Sequence, residues 1–282
     1  MINFSEWANL LVRWTHVFAA ILWVGSTYYF TWLDGQMRRG ADKPVWMVHS
    51  GGFYTVTKQK VLGVPPGEIH WFRYEALATF LSGFVLLNLV YYHGGLMVDP
   101  IDPKVSPIIA SAIGVATLIA GWAIYDLLAR TPLVDHEAAF AAVGFVLIVA
   151  SAWALSTVLS TRATYIHVGA LFGTIMTANV WMRILPPQRR MIAAAVKGEP
   201  FDPAVASGAK RRSKHNSFLA VPATFIMISN HFPTATYGNH YAVAILGALI
   251  LLGWGGAALI RRGRSGYPRR PRAGTKITKL TN

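Results

Sequence analysis

The sequence predicts an all-α integral membrane protein that folds as a seven-span helical bundle. Of its 282 residues, 54% are hydrophobic and only 13% are charged. The apolar residues fall in long blocks rather than in the short periods of amphipathic helices, which is typical of membrane spans. Basic residues concentrate in alternate connections between these blocks. Together these patterns favour a multi-span membrane protein over one or two soluble domains.

Seven blocks in one membrane domain, residues 1–260, are predicted to span the bilayer. The first carries Glu6 early, has no basic leading region and no small-residue cleavage site, so it is a span rather than a signal peptide. The sixth carries Pro222 in mid-span, which a helix packed among others tolerates as a kink. The predicted spans lie near residues 7–33, 70–93, 106–130, 136–158, 161–185, 215–233 and 239–260. The longer loop 34–69 is expected to fold against the inner face.

The distribution of Lys and Arg orients the bundle. Most of them lie in the loop after span one, in the loop after span five and in the tail 261–282, whereas the alternate connections hold almost none. By the positive-inside rule, the N-terminus lies outside and the C-terminus is cytoplasmic, as an odd number of spans requires. The formal charge of +14 therefore reflects topology and contact with anionic lipid rather than nucleic-acid binding. The basic, low-complexity tail is predicted to be disordered.

Residue types that are absent exclude several classes of site. The chain has no Cys, which excludes disulfides, thiolate metal sites and covalently attached c-type haem. The last span has no Lys, so the chain cannot form the Schiff base of a retinal protein. The strings Trp14-Thr-His16 and Tyr165-Ile-His167 begin spans that enter from the same side, which suggests an internal repeat of the helix bundle.

An outer layer of histidines is predicted to bind haem. His16 lies about 14 Å inside span one, and Arg13 lies one turn away on the same face. Two neutral imidazoles from different helices are the usual axial ligands of a b-type haem, which needs no Cys. We expect His16 and His167 to hold the haem iron, His231 to be the next candidate ligand, and Arg13 to pair with a propionate. The alternative is that these histidines only form hydrogen bonds between helices.

An inner layer of polar residues is predicted where spans two and six meet the first loop. Glu75 lies within an apolar span and is therefore either a proton-relay carboxylate or half of a structural ion pair with Arg73. A metal site is a minor alternative, because no H-E-x-x-H spacing is present. Asp126 and Arg130, one turn apart, are interpreted as a structural pair. The inner-layer residues are His49, Tyr54, Glu68, His70, Arg73, Glu75, His215 and Asn216.

Several strings resemble one known family. The most specific is Met227-Ile-Ser-Asn-His-Phe-Pro233, and the others are Arg13-Trp-Thr-His16, His49-Ser-Gly-Gly-Phe-Tyr54, His70-Trp-Phe-Arg-Tyr-Glu75, His167-Val-Gly-Ala170 and Arg212-Ser-Lys-His-Asn216. Over roughly residues 1–260, the chain resembles the membrane domain of bacterial membrane-bound, cytochrome-c-linked urate oxidases. The resemblance implies an enzyme of purine degradation in the bacterial inner membrane. That family oxidises urate to 5-hydroxyisourate without forming hydrogen peroxide and passes the electrons to a cytochrome c.

The resemblance leads to a hypothesis for both layers. In the family, a further span and a cytochrome c domain follow the membrane domain, whereas this sequence has no Cys to attach such a haem. A separate cytochrome c or another electron acceptor is therefore expected. Asn216, Arg73 and Tyr54 would bind urate, and Glu75, His49, His70 or His215 would remove its protons. Electrons would cross to haem in the outer layer. The alternative is a haem- or metal-binding membrane electron-transfer or transport protein without urate activity.

Overall fold

A computed structural model describes residues 4–39, 44–59 and 67–262. This part of the chain is mainly helical, with one small β-hairpin. The helices are α1 (Phe4–Arg39), α2 (Tyr74–Leu87), α3 (Pro107–Leu128), α4 (Glu137–Ser156), α5 (Thr161–Ala178), α6 (Leu185–Lys197), α7 (Pro203–Ser229) and α8 (Ala242–Arg262). The strands are β1 (Val45–His49) and β2 (Gly52–Val56). The predicted disordered tail lies outside the described residues beyond Arg262.

Six helical stretches in the described residues are long and apolar enough to cross a membrane. Five of them correspond to α1, α2 with the π-helical turn that follows it, α3, α4 and α8. The sixth runs from Thr161 to Lys197, because a π-helical segment, Asn179–Ile184, joins α5 to α6 without a break. This helix therefore continues beyond the predicted boundary at residue 185. A mainly helical fold with several helices long and apolar enough to cross a membrane is thus confirmed, while the number of spans and their orientation stay predictions.

Helix α7 differs from the six in its charge. It begins at Pro203, well before the predicted start at residue 215, and so includes the basic cluster that was placed in a loop. Those charges are paired: Arg211 contacts Asp135, Arg212 contacts Asp126, and Lys214 contacts Glu137. Helix α7 packs against α5 and α8. It ends at Ser229, so His231 follows the helix rather than lying within it.

The hairpin is the one departure from the predicted all-α class in the residues that the structure describes. β1 and β2 pair antiparallel, with His49 opposite Gly52. The two connecting residues, Ser50 and Gly51, both have positive φ, as a type I′ turn requires. The hairpin contacts α1 and buries Val45, whereas Phe53 is exposed. That the loop 34–69 folds against the inner face stays a prediction.

Helix α5 lies at the centre of the bundle and contacts α2, α3, α4 and α7. Most of its residues are buried, including Tyr165, His167 and Phe172. Its outer end is fixed by Ser160, which caps the helix and also donates a hydrogen bond to the carbonyl of Leu96. Because α5 is surrounded on several sides, it separates the spaces that open between its neighbours. Those spaces are where the polar side chains of the bundle lie.

Candidate functional site

A cavity of about 320 Å³ lies between α1, α2, α5 and the end of α7. Three of the four residues predicted to bind haem line it, namely Arg13, His16 and His231. Its lining along α5 runs from Arg162 to Thr177, which is about 22 Å of helix. The structure therefore brings most of the predicted outer layer to one space, which we call the outer cavity.

His16 presents a ring nitrogen that no described residue uses. Its Nδ1 lies 3.0 Å from the carbonyl oxygen of Thr79 and 3.1 Å from Ser82 Oγ. A carbonyl can only accept, so Nδ1 carries the proton and Nε2 keeps its lone pair. This is the arrangement of a metal-binding histidine, whose other nitrogen donates to a carbonyl and fixes the ring. Gly83 permits it, because a Cβ there would lie 2.8 Å from His16 Cε1.

His167 is held differently and does not line the outer cavity. It is fully buried, and its Nδ1 lies 2.8 Å from the carbonyl oxygen of Ala163. That contact makes Nδ1 the donor, so Nε2 accepts from the hydroxyl of Tyr92, 3.2 Å away. Gly114 is close behind it, since a Cβ there would lie 2.5 Å from Nε2. Both ring nitrogens are therefore occupied within the protein.

Two guanidinium groups and an amide border the outer cavity. Arg13 binds the side-chain oxygen of Asn9, and Arg162 donates from Nε to Asn230 Oδ1 over 3.1 Å. Tyr91 also donates to Asn230 Oδ1. Arg162 and Asn230 were not selected from the sequence, although Asn230 stands next to His231. Their charge and donors match the two propionates of a haem, and the unused His16 Nε2 matches its iron, so the residues present fit this group.

A second group of polar side chains lies at the start of α2 and on Trp181, beside Arg73; we call Arg73, Glu75 and Trp181 the α2 site. The Arg73 guanidinium lies over the rings of Tyr74 at 4.8 Å and Trp181 at 5.9 Å. Arg73 Nε, Glu75 Oε2 and Trp181 Nε1 are buried and have no hydrogen-bond partner. Arg73 and Glu75 form no ion pair with each other. Two donors and one acceptor are therefore left for a ligand.

Two other predicted inner residues belong to a buried polar chain instead. His215 Nδ1 lies 2.8 Å from the hydroxyl of Tyr125, and Asn216 accepts from Asn179 at 2.9 Å. Beside them, Asp126 pairs with Arg130, as predicted, and the same carboxylate also binds Arg183 and Arg212. The sequence suggested one partner for Asp126, but the fold supplies three.

The remaining predicted inner residues are exposed and separate. His49 contacts the hydroxyl of its neighbour Ser50, Tyr54 lies on the hairpin surface, and His70 packs edge-on against Phe72. No hydrogen bond or ion pair joins these three side chains to His215 or Asn216 in the part of the chain that the structure describes. In that part there is also no group of three His, Asp or Glu side chains that could hold a metal ion. The predicted inner layer is thus divided among several places.

Comparison with known proteins places the chain in a family. No curated protein and no solved structure matches it. A family model described as urate oxidase N-terminal matches residues 2–262, which is most of the chain and every described helix. The chain belongs to the urate oxidase N-terminal family.

Proposed function

We propose that this protein oxidises urate to 5-hydroxyisourate within the membrane and passes the electrons through haem to a cytochrome c. The family match over residues 2–262 supports urate as the substrate. The six apolar helical stretches support a reaction at the membrane. The oxidation takes up one water molecule and releases two protons and two electrons, so the protein needs a proton acceptor and an electron acceptor.

The observation that carries this proposal is the set of three unpartnered buried atoms in the α2 site. Urate is a planar purine whose edge alternates carbonyl oxygens with N–H groups. Arg73 Nε and Trp181 Nε1 would donate to its carbonyl oxygens, and Glu75 Oε2 would accept from an N–H. The hydrogen bonds of urate to the charged groups Arg73 and Glu75 would contribute more to binding than the one to the neutral Trp181. Both partners of such a bond would be shielded from water.

Glu75 is the base that this geometry favours. Its buried Oε2 has no hydrogen-bond partner among the described residues, which would leave it free to accept from an N–H of a bound purine. The exposed imidazoles of His49 and His70 would exchange protons with the solvent. Of the other proposed binding residues, Tyr54 is on the hairpin, and Asn216 and His215 lie in the polar chain near Asp126. We therefore assign substrate binding first to Arg73 and proton removal first to Glu75.

The haem would be held in the outer cavity. We propose His16 as an axial ligand through Nε2 and His231, which lines the same cavity, as the second ligand ahead of His167. Arg13 and Arg162 would pair with the propionates. When bound, the haem supplies one-electron transfer between the substrate and the external cytochrome.

The test is a visible absorption spectrum of the purified, detergent-solubilised protein under anaerobic conditions, before and after urate is added. We expect a b-type haem that urate reduces. Glu75→Gln should slow the reduction at least about a hundredfold, as loss of a general base does. Arg73→Gln should raise the urate concentration for half-maximal rate about tenfold or more. Glu68→Gln is the matched control, because Glu68 is exposed just before the α2 site.

The second candidate function is electron transfer or transport without urate activity, which the outer cavity by itself would serve. In that case dithionite would reduce the haem and urate would not. A protein that binds no haem after loading with hemin would instead contradict the proposed use of the outer cavity. Normal reduction by urate in the Glu75→Gln protein would contradict the α2 site.

A further inference from the structure

A larger cavity, of about 580 Å³, lies on the other side of α5. We call it the inner cavity. Residues of α3, α4, α5, α7 and α8 line it, and nearly all of them are apolar, as Ile148, Leu171 and Leu219 are. Helices α3 and α4 each pack against α5 but make little contact with each other, so the space opens between them. Tyr125, Glu137, Lys214 and His215 form a polar end of the lining, and Ser151 is a further polar residue farther along α4.

Hydrogen bonds fix the tautomer of His215 at that end. Asn216 Nδ2 donates to the carbonyl oxygen of Met176, so its Oδ1 must accept the bond from Asn179 Nδ2. Asn179 Nδ2 also donates to the hydroxyl oxygen of Tyr125, 2.9 Å away. His215 Nδ1 is the one acceptor that the described residues offer to the Tyr125 hydroxyl, so this hydroxyl donates its proton there. This leaves His215 with a proton on Nε2.

The Nε2 proton of His215 has no acceptor among the described residues. His215 lines the inner cavity, and its ring is stacked on Phe140, with centroids 5.0 Å apart and planes 19° apart. Because a neutral imidazole donor without a partner is costly in an apolar space, a ligand oxygen there would be favourable. The cavity thus combines one fixed donor, a flat aromatic wall and a long apolar lining. A carbonyl-bearing ring with an apolar tail has the complementary chemistry.

From this complementarity we infer that the inner cavity binds an isoprenoid quinone. A quinone carbonyl would accept from His215 Nε2–H, and the tail would lie among the apolar side chains and pass between α3 and α4 into the lipid. Lys214 and Glu137, which pair with each other, line the same polar end.

The position of the cavity relative to α5 suggests its use as an electron acceptor site. The outer cavity is lined by Ile166, Gly169 and Gly173 of α5, and the inner cavity by Leu171, Phe172 and Ile175. One helix thus forms the wall between the two spaces, and α-helices are about 10 Å thick. A quinone here would be a second acceptor besides a cytochrome.

The redox step rests on the proposed function and balances with it. Urate and water give 5-hydroxyisourate, two protons and two electrons, and the quinone takes up two electrons and two protons to become the quinol. No other oxidant is needed. Binding of the quinone, in contrast, does not depend on urate and can be measured alone.

The experiment titrates the full-length, detergent-solubilised protein with decylubiquinone and follows quenching of tryptophan fluorescence, since Trp254 lines the inner cavity.

Gly144 lines the same cavity, and a Cβ built there meets no atom within 4 Å, so the added side chain in Gly144→Leu would take up cavity space. Gly255→Leu is the matched control, because Gly255 is equally open but lines neither cavity. His215→Phe removes the donor and keeps the stacked ring.

We expect saturable quenching with the same affinity in the unmodified protein and in Gly255→Leu. Gly144→Leu should lower the affinity for decylubiquinone at least tenfold. His215→Phe should lower it three- to tenfold, which corresponds to the loss of about one hydrogen bond. Equal affinities in all four proteins would overturn the inference. Displacement of the quinone by equimolar oleate would also overturn it, because it would show an acyl-chain site. Anaerobic quinol formation with urate tests the redox step: binding without reduction would keep the quinone site and contradict the proposed substrate.

Discussion

His16 and His167 look alike in sequence but differ in what they offer a ligand. Each follows an aromatic residue by two positions, and each ring lies against a glycine of a neighbouring helix, Gly83 or Gly114. His16 borders a cavity and has an unused Nε2. His167 is enclosed, and its Nε2 is bonded to Tyr92. The first is built as a ligand donor and the second as a packing element.

The two residues differ in the partner of Nε2, which is the Tyr92 hydroxyl for His167 and no described residue for His16. In both residues Nδ1 donates to a carbonyl, which directs the lone pair to Nε2. Whether that lone pair then meets a cavity or a hydroxyl depends on the neighbouring helix. The possible internal repeat therefore stays a prediction that the two histidine environments do not by themselves support.

Replacing each histidine gives the largest expected contrast. His16→Ala should abolish bound haem, because the proposed axial nitrogen is lost. His167→Ala should keep the haem and lower the free energy of unfolding by about 2–4 kcal/mol, since it leaves a cavity and an unpaired hydroxyl. Haem absorbance per protein and thermal unfolding in detergent measure both effects. If His167→Ala loses the haem and His16→Ala keeps it, the assignment is reversed.

Adding one methyl group beside each ring tests the same contrast more gently. Gly83→Ala would place a Cβ 2.8 Å from His16, and Gly114→Ala would place one 2.5 Å from His167. We expect Gly83→Ala to shift the haem spectrum or reduce its occupancy by about half. Gly114→Ala should instead cost about 1–3 kcal/mol of stability with an unchanged spectrum. Gly25→Ala serves as the control, because its Cβ would meet no atom within 4 Å.

The smallest change is the loss of one hydroxyl. Tyr92→Phe removes the partner of His167 Nε2 and leaves a buried acceptor unpaired, which should cost about 1–2 kcal/mol of stability. The haem spectrum should not change. Tyr91→Phe is the contrasting variant, since Tyr91 lines the outer cavity and binds Asn230. A spectral change in Tyr92→Phe that exceeds the change in Tyr91→Phe would argue that His167 contacts the haem.

The sequence predicted the apolar helices well, because their composition alone distinguishes them from loops. It placed the start of α7 too late, since the ion pairs that allow Arg211, Arg212 and Lys214 to be helical come from residues far away in the chain. It missed the hairpin, whose exposed aromatic residues have no simple alternation of polar and apolar types.

The candidate sites were predicted only in part. The sequence indicated Arg13, His16 and His231, which meet in one cavity, and Arg73 with Glu75, which meet at the α2 site. It could not exclude His167, because occupancy of a ring nitrogen depends on side chains of other helices. The residues of the predicted inner layer lie at several separate places in the structure. The sequence gives the depth of a residue along a helix axis, but it does not show which residues face each other on one side of the bundle.

The carboxylate of Asp126 has a consequence for the biogenesis of the protein. Arg130 is synthesised only four residues after Asp126. In contrast, Arg183 and Arg212 can pair with Asp126 only after α5 and the first part of α7 have been synthesised. The basic first half of α7 is stabilised by the acidic residues Asp126, Asp135 and Glu137 rather than by lipid. Insertion of α7 therefore requires that the segments carrying these residues have already folded. The order of translation thus sets an order of assembly, in which α7 docks at Asp126 after α3 and α5 and before α8.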